Sequence, residues 1–244
     1  MKPAIILREI KIIEIRNAIF DFDGLLVKTE KLHFESWNAA LAKYGKQIGI
    51  EQYRPYCGKP GTENARSFRK LFNLPISRKG LYGMKNDLCM EQIRKSGVPL
   101  MDGADEITAF FNSHNVPIAI ATGGKGSENE AKFAKFPLMD RFDVIATGDD
   151  VKRNKPWPDL IEFTCKKMGA DPKKTAGFDD SRTGVIALRR AGVYVFGVPT
   201  EYSIRKDVEN IADVTFSNLN QALEFIKKSI VSFADGVLYL QVKR

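Results

Sequence analysis

Cysteine, histidine and tryptophan are scarce in this chain, with three, two and two in 244 residues. Cys57, Cys89 and Cys165 lie far apart and form no Cys-x-x-Cys pair or His-Cys cluster. A disulfide framework and a zinc site therefore find no support, and reduced thiols in a cytoplasmic protein are the expectation. Also missing is any stretch near the roughly 20 apolar residues that a membrane helix requires. The apolar run from Ile5 to Ile15 is broken by Arg8, Glu9, Lys11 and Glu14, and reads as neither signal peptide nor anchor. Internal repeats, low-complexity tracts and basic arms are absent too. The formal charge of +8 and pI near 9.3 are thus dispersed along the chain. That distribution argues against nucleic acid as a partner and suits a field drawing anionic metabolites to a cleft.

What is present is 43% hydrophobic and 28% charged residues, enough to bury a core in a soluble globular protein. Residues 17–23 read as a buried strand ending at Gly24. From about Glu30 to Gly97 the pattern turns helical: Leu32, Phe34, Trp37, Leu41 and Tyr44 recur at helical spacing, with Gly45 as a stop. Further helices fit 63–72 and 81–95. Strand and helix then alternate, with strands at 116–121, 142–146, 175–178 and 193–198. Helices fit 104–113, 158–168 and 183–191. Repeated βα units predict an α/β fold, a Rossmann-like parallel sheet covered by helices. The expected organisation is a core of residues 1–29 and 98–244 with an all-helical cap of residues 30–97. Ile10–Ile12 and Val237–Val242 alternate as half-exposed strands, expected to extend one sheet edge and to pair with each other.

Four carboxylates fall where strands end: Asp21 and Asp23 after the first, Asp179 and Asp180 after a later one. Ligands bind at the carboxyl ends of parallel strands. Clustered carboxylates repel unless a cation or shifted protonation relieves them, and oxygen-only ligands point to Mg²⁺. A lone Asp is better read as a turn or helix cap; two pairs after apolar strands are not lone. One carboxylate can attack phosphorus while a second shuttles protons. A positive side chain must offset the charge on the transferring group, and Lys125 and Lys155 are the candidates. Thr122 and the amides after it, beginning at Gly123, are placed to bind phosphate oxygens. The Gly-Gly-Lys-Gly run is not a Walker loop, because its first glycine and the Ser/Thr after lysine are missing.

These residues resemble the four-motif set of the haloacid dehalogenase superfamily. Phe20-Asp21-Phe22-Asp23-Gly24 looks like its first motif, Thr122 its second, Lys155 in Lys-Pro-Trp-Pro-Asp its third, and Asp179-Asp180-Ser181 its fourth. The pattern is similar to the β-phosphoglucomutase and sugar-phosphatase branch with a helical cap. The resemblance implies Asp21 as nucleophile and Mg²⁺ ligand. It implies Asp23 as acid/base lending its backbone carbonyl to the metal, and Asp180 and Asp179 as further ligands or, for Asp179, a partner of one. Thr122 and Lys155 would hold the phosphoryl group. Asp23 favours phosphoryl transfer over dehalogenation, whose enzymes lack an acid there. Three departures stand out: Lys28 where Asp is usual, Asp179 where Glu is common, and a cap loop, Cys57–Gly61, without the mutase arginine. Lys59 is the candidate substitute, and His33 is either a helix-face residue or a participant in proton transfer and cap closure. The resulting expectation is a Mg²⁺-dependent phosphatase of small phosphorylated metabolites, monomeric or weakly dimeric. A hexose-phosphate mutase is the alternative, and a binding protein on a decayed enzyme fold a third reading.

Overall fold

A computed structural model describes residues 10–243. The described chain opens with β1 (Ile10–Ile15) and passes through Arg16 into β2 (Asn17–Phe20). Four helices follow, α1 (Thr29–Ala42), the short α2 (Ile50–Tyr53), α3 (Gly61–Leu71) and α4 (Arg78–Ser96). After α5 (Ala104–Ser113) strands and helices alternate: β3 (Ile118–Ala121), α6 (Gly126–Phe133), β4 (Val144–Ala146), α7 (Asp159–Met168), β5 (Thr175–Asp179) and α8 (Arg182–Ala191). The alternation continues with β6 (Tyr194–Gly197), α9 (Arg205–Glu209), β7 (Val214–Thr215) and α10 (Leu219–Ser229), and the chain closes with β8 (Ile230–Ala234) and β9 (Val237–Lys243).

Six strands form one parallel sheet in the order β4-β3-β2-β5-β6-β7. The Rossmann-like α/β core expected from the sequence is the one found. β2 lies at its centre with all four residues buried, as a parallel strand covered on both faces must be. One face packs Phe20, Phe178 and Phe196 in a row, neighbouring ring centroids being 4.6 Å apart. The other packs Ile19, Ala121, Leu160, Val185 and Val195 under α7 and α8. The segment carrying α1–α4 contains no strand longer than one bridge and gathers its own buried cluster around Trp37, Leu41, Tyr53, Phe68 and Leu81. Its two connections to the sheet run side by side. Val27 bridges Leu100 antiparallel, Lys28 N donates to Pro99 O and Met101 N to Leu26 O. Lys28, the unusual cation, pairs with Asp102 at 2.8 Å across the same two connections.

The first strand is shorter than its sequence suggests. It stops at Phe20, because Leu26 N and Val27 N both return to Phe22 O and Gly24 N to Val27 O, closing a tight turn. Gly24 holds φ +84°, a conformation that glycine adopts without penalty.

The chain ends pair as expected, Ile10 opposite Lys243 through Ile15 opposite Leu238, yet they do not extend the parallel sheet. They form a separate antiparallel sheet in the order β1-β9-β8. Alternation is the reason. Ile13, Ile15, Leu238, Leu240 and Val242 turn inward onto the core while Ile10 and Ile12 stay exposed, so this sheet lies face-on against the domain. β8 and β9 join through Asp235-Gly236, both at positive φ, the geometry of a type I′ hairpin. Among the described residues no helix is long and apolar enough to cross a membrane.

Candidate active site

β2 and β5 are neighbours in register, Phe20 opposite Phe178, so the residues after them emerge together. Asp21 N donates to Phe178 O at 2.9 Å, which fixes the first carboxylate beside the second pair. Asp21, Asp179 and Asp180 each present a carboxylate oxygen, all within 4.8 Å of one another, and all three residues are buried. Two glycines make room for them. A Cβ on Gly24 would stand 2.9 Å from Asp180 Oδ2, and one on Gly184 only 1.8 Å from Asp179 Oδ2.

Lys155 is the cation of this cluster. Its Nζ donates to Asp21 Oδ1 and Asp179 Oδ2, both at 2.8 Å, with its side chain 9% exposed. The peptide bond from Lys155 to Pro156 is cis. Asn154 ties this loop to the one after β3, donating from Nδ2 to Gly123 O at 2.6 Å while its Oδ1 accepts from Lys155 N. Thr122 is buried on that neighbouring loop, and its Oγ1 accepts from Gly124 N at 3.3 Å. Ser181 donates from both N and Oγ to Asp179 Oδ1, and Ser203 Oγ donates to Asp180 Oδ2 at 3.1 Å.

Burial pushes the Asp21 carboxyl up to about 7, Asp179 adding to the rise and Lys155 opposing it. Asp180 stands well above the ordinary carboxylate range, first from burial and then from the charges of Asp179 and Asp21. Burial works against the Lys155 ammonium, but Asp179 and Asp21 outweigh it and hold it above the usual lysine range. Three buried carboxylates with one ammonium leave uncompensated repulsion, which a divalent cation would relieve. An all-oxygen donor set at this spacing fits a hard ion such as Mg²⁺.

Asp23 goes elsewhere. Both its oxygens accept from Lys132 Nζ, at 2.6 and 2.7 Å. Burial would raise this carboxyl; Lys132, followed by His33, prevails and holds it below the usual range. Lys132 is 7% exposed and its ammonium lies 5.6 Å from the Phe22 ring centroid. Across the gap, on α4, buried Lys85 donates to His33 Nδ1 at 2.9 Å, with Cys89 Sγ 3.4 Å from the same nitrogen. Burial and then Lys85 keep the His33 imidazole well below its ordinary pKa. Glu30, also buried, accepts from Tyr53 Oη at 3.5 Å, and burial raises its pKa.

The structure thus assembles Asp21, Thr122, Lys155, Asp179 and Asp180 at one end of the sheet, with Asp23 and His33 beside them. Two residues expected to bind substrate, Lys125 and Lys59, stand apart from this assembly on the surface. Lys125 is exposed at the N-terminus of α6 and joins no ion pair among the described residues. Lys59 is exposed with its ammonium 5.7 Å from the Tyr56 ring centroid. On the same loop Gly58, at φ +70°, has its carbonyl accepting from Thr183, and a Cβ there would meet Ser181 at 3.0 Å. Lys132, Lys85, Glu30 and Ser203 were not anticipated: no motif or spacing marks them in the sequence, and only tertiary packing buries them.

Comparison with known proteins agrees with this geometry. The chain belongs to the haloacid dehalogenase-like hydrolase family, whose model matches residues 18–198. It is 31% identical to protein CbbY of Rhodobacter capsulatus, over 86% of this chain and 96% of that one. It is 29% identical to the fructose-1-phosphate phosphatase YqaB of Escherichia coli, over 72% and 92% respectively. Among solved structures, a putative β-phosphoglucomutase from Thermotoga maritima superposes with a TM-score of 0.71 at 26% identity, covering 86% of this chain and 99% of that one.

Proposed function

We propose that this protein is a phosphatase of small phosphorylated metabolites, sugar phosphates foremost, working through an aspartyl-phosphate on Asp21. The observation that carries this reading is the buried Asp21 carboxylate. It is bonded by Lys155 and grouped with Asp179 and Asp180 at the carboxyl end of the central strand. The relative named as a fructose-1-phosphate phosphatase supports the substrate class.

In the first step an Asp21 oxygen bonds to phosphorus, the ester P–O bond breaks, and its electron pair leaves on the substrate oxygen. Asp23 protonates that oxygen, giving the free alcohol. In the second step Asp23 takes a proton from water, the water oxygen bonds to phosphorus, and the bond to Asp21 breaks, releasing phosphate. Lys155 and Thr122, with the amide of Gly123, hold the phosphoryl oxygens, and Lys155 orients Asp21 through the 2.8 Å hydrogen bond. Asp21, Asp179 and Asp180, with the Asp23 carbonyl, would hold Mg²⁺, which supplies positive charge to the phosphoryl oxygens when bound. Residues 30–97 act as a cap over this end of the sheet, turning on the paired connections at Val27 and Leu100. Release of inorganic phosphate from a panel of sugar and polyol monophosphates with Mg²⁺ tests the reading. Turnover by the wild type and its loss in Asp21→Asn are expected. Equal inactivity of the two across the panel refutes the assignment.

A further inference from the structure

A buried ammonium on α6 holds the carboxylate of Asp23, and nothing in the motif pattern assigns it a role. Bringing a lysine to 7% exposure costs several kcal/mol unless a carboxylate meets it. Among the described residues Asp23 is its one hydrogen-bonded carboxylate, and the ammonium reaches both oxygens at 2.6 and 2.7 Å across 109 residues of sequence. Contact with both oxygens sets the ammonium against the whole carboxylate rather than one of its ends.

Two observations say that this matters for the site. Asp23 sits in the tight turn just before Gly24, two residues from a cluster of three other carboxylates, two of which share a different lysine. Each aspartate of the first motif thus has its own ammonium, Lys155 for Asp21 and Lys132 for Asp23. That division keeps Asp23 out of the cluster and available on its far side. The same face of α6 also carries Asn129, one turn earlier, fully buried against Gly124. Neither atom of its amide finds a hydrogen-bond partner among the described residues. The inner face of α6 therefore carries two buried polar side chains, Asn129 at the loop after Thr122 and Lys132 at Asp23.

We propose that Lys132 is the positioning residue for Asp23, holding the acid/base carboxylate on the leaving-group side of Asp21. The assignment rests on the phosphatase reading above, and leaving-group dependence separates the two. An alkyl oxygen must be protonated as it departs, whereas 4-nitrophenolate leaves without a proton.

The variant Lys132→Met, with Mg²⁺ present, is expected to lose on the order of a hundredfold in kcat on fructose 1-phosphate with KM nearly constant. The pre-steady-state burst of 4-nitrophenolate from 4-nitrophenyl phosphate should stay within about threefold of wild type. In an Asp23→Asn background the same change should cost nothing further. Lys132→Arg, which keeps a cation on Asp23, should retain alkyl-phosphate turnover within about tenfold, and this variant carries the test if the methionine variant fails to fold. Equal loss of the burst and of alkyl turnover, full alkyl turnover in Lys132→Met, or an added loss in the Asp23→Asn background each overturns the role of Lys132. Those results leave the phosphatase reading standing, provided Asp21→Asn is inactive where wild type is active. A wild type inactive on 4-nitrophenyl phosphate and across the whole panel of sugar and polyol monophosphates overturns both.

Discussion

Replacing Gly184 by alanine isolates the packing around Asp179. Gly184 lies in the first turn of α8 with helical backbone, so alanine meets no conformational barrier there. On propensity alone the change should stabilise the helix by about 1 kcal/mol. The added Cβ would stand 1.8 Å from Asp179 Oδ2 and 1.9 Å from its Cγ, far inside contact distance. Asp179 is 1% exposed and held by Lys155 Nζ, Ser181 N and Ser181 Oγ, so it has no free direction to move. Displacing it breaks at least two hydrogen bonds to a charged group, each worth about 1.5–3 kcal/mol. The steric term wins, and a net loss of roughly 2–5 kcal/mol is expected. Gly83, inside α4 with nothing within 4 Å of a would-be Cβ, is the internal control, and its alanine variant should gain about 1 kcal/mol. Urea titrations of both variants at pH 7 measure the difference. Stability of Gly184→Ala at or above wild type, alongside a stabilised Gly83→Ala, would refute the packing described around Asp179.

Three further outcomes follow from the charges. Mg²⁺ at about a hundred times its dissociation constant should stabilise the fold by about 2.7 kcal/mol, seen as a rise in the thermal midpoint. Asp180→Asn should shrink that rise while stabilising the metal-free protein, because it removes one of three repelling carboxylates; an undiminished rise would count against the cluster as the binding site. Lys155→Met strips the cation from buried Asp21 and Asp179 and should cost about 3–5 kcal/mol without metal, a deficit that Mg²⁺ partly restores. Glu30 has its pKa raised in the fold, so the native state holds that proton more tightly than the unfolded chain. Its contribution is then most favourable below the ordinary glutamate range and is lost as pH rises through the raised value. Glu30→Gln should therefore gain stability relative to wild type between pH 5 and pH 8 in urea titrations, and an unchanged pH slope would oppose the assignment.

Asp21, Thr122, Asp179 and Asp180 were legible because each ends or follows a short apolar run, and parallel strands deliver their ends to one place; Lys155 was legible from the two prolines that hold it between a strand and a helix. The β2 boundary was misread because Phe22 is as apolar as the strand, although it serves a turn packed on Phe133 and Phe136. The alternation at both chain ends disclosed half-buried strands without disclosing what covers them. The Asp235-Gly236 pair before Val237 was a usable hairpin signal that would have revealed β8. Lys132 left no such trace. In Glu-Asn-Glu-Ala-Lys-Phe-Ala-Lys it looks like any solvated helix charge, and its burial exists only once α6 meets the first-motif turn.

Pairing of β1 with β9 makes the first described strand wait for the last. Until residues near 240 are available, Ile13 and Ile15 have no strand to complete the face they offer to the core. A nascent chain can order the catalytic strand before that seam shuts. Bringing together segments some 220 residues apart carries a closure entropy that grows slowly with the length enclosed. The seam then acts as a zip fastener on an otherwise finished fold. Prying it open, by a proline at Leu240 for example, should loosen the two chain ends together while the distant carboxylates stay where they are.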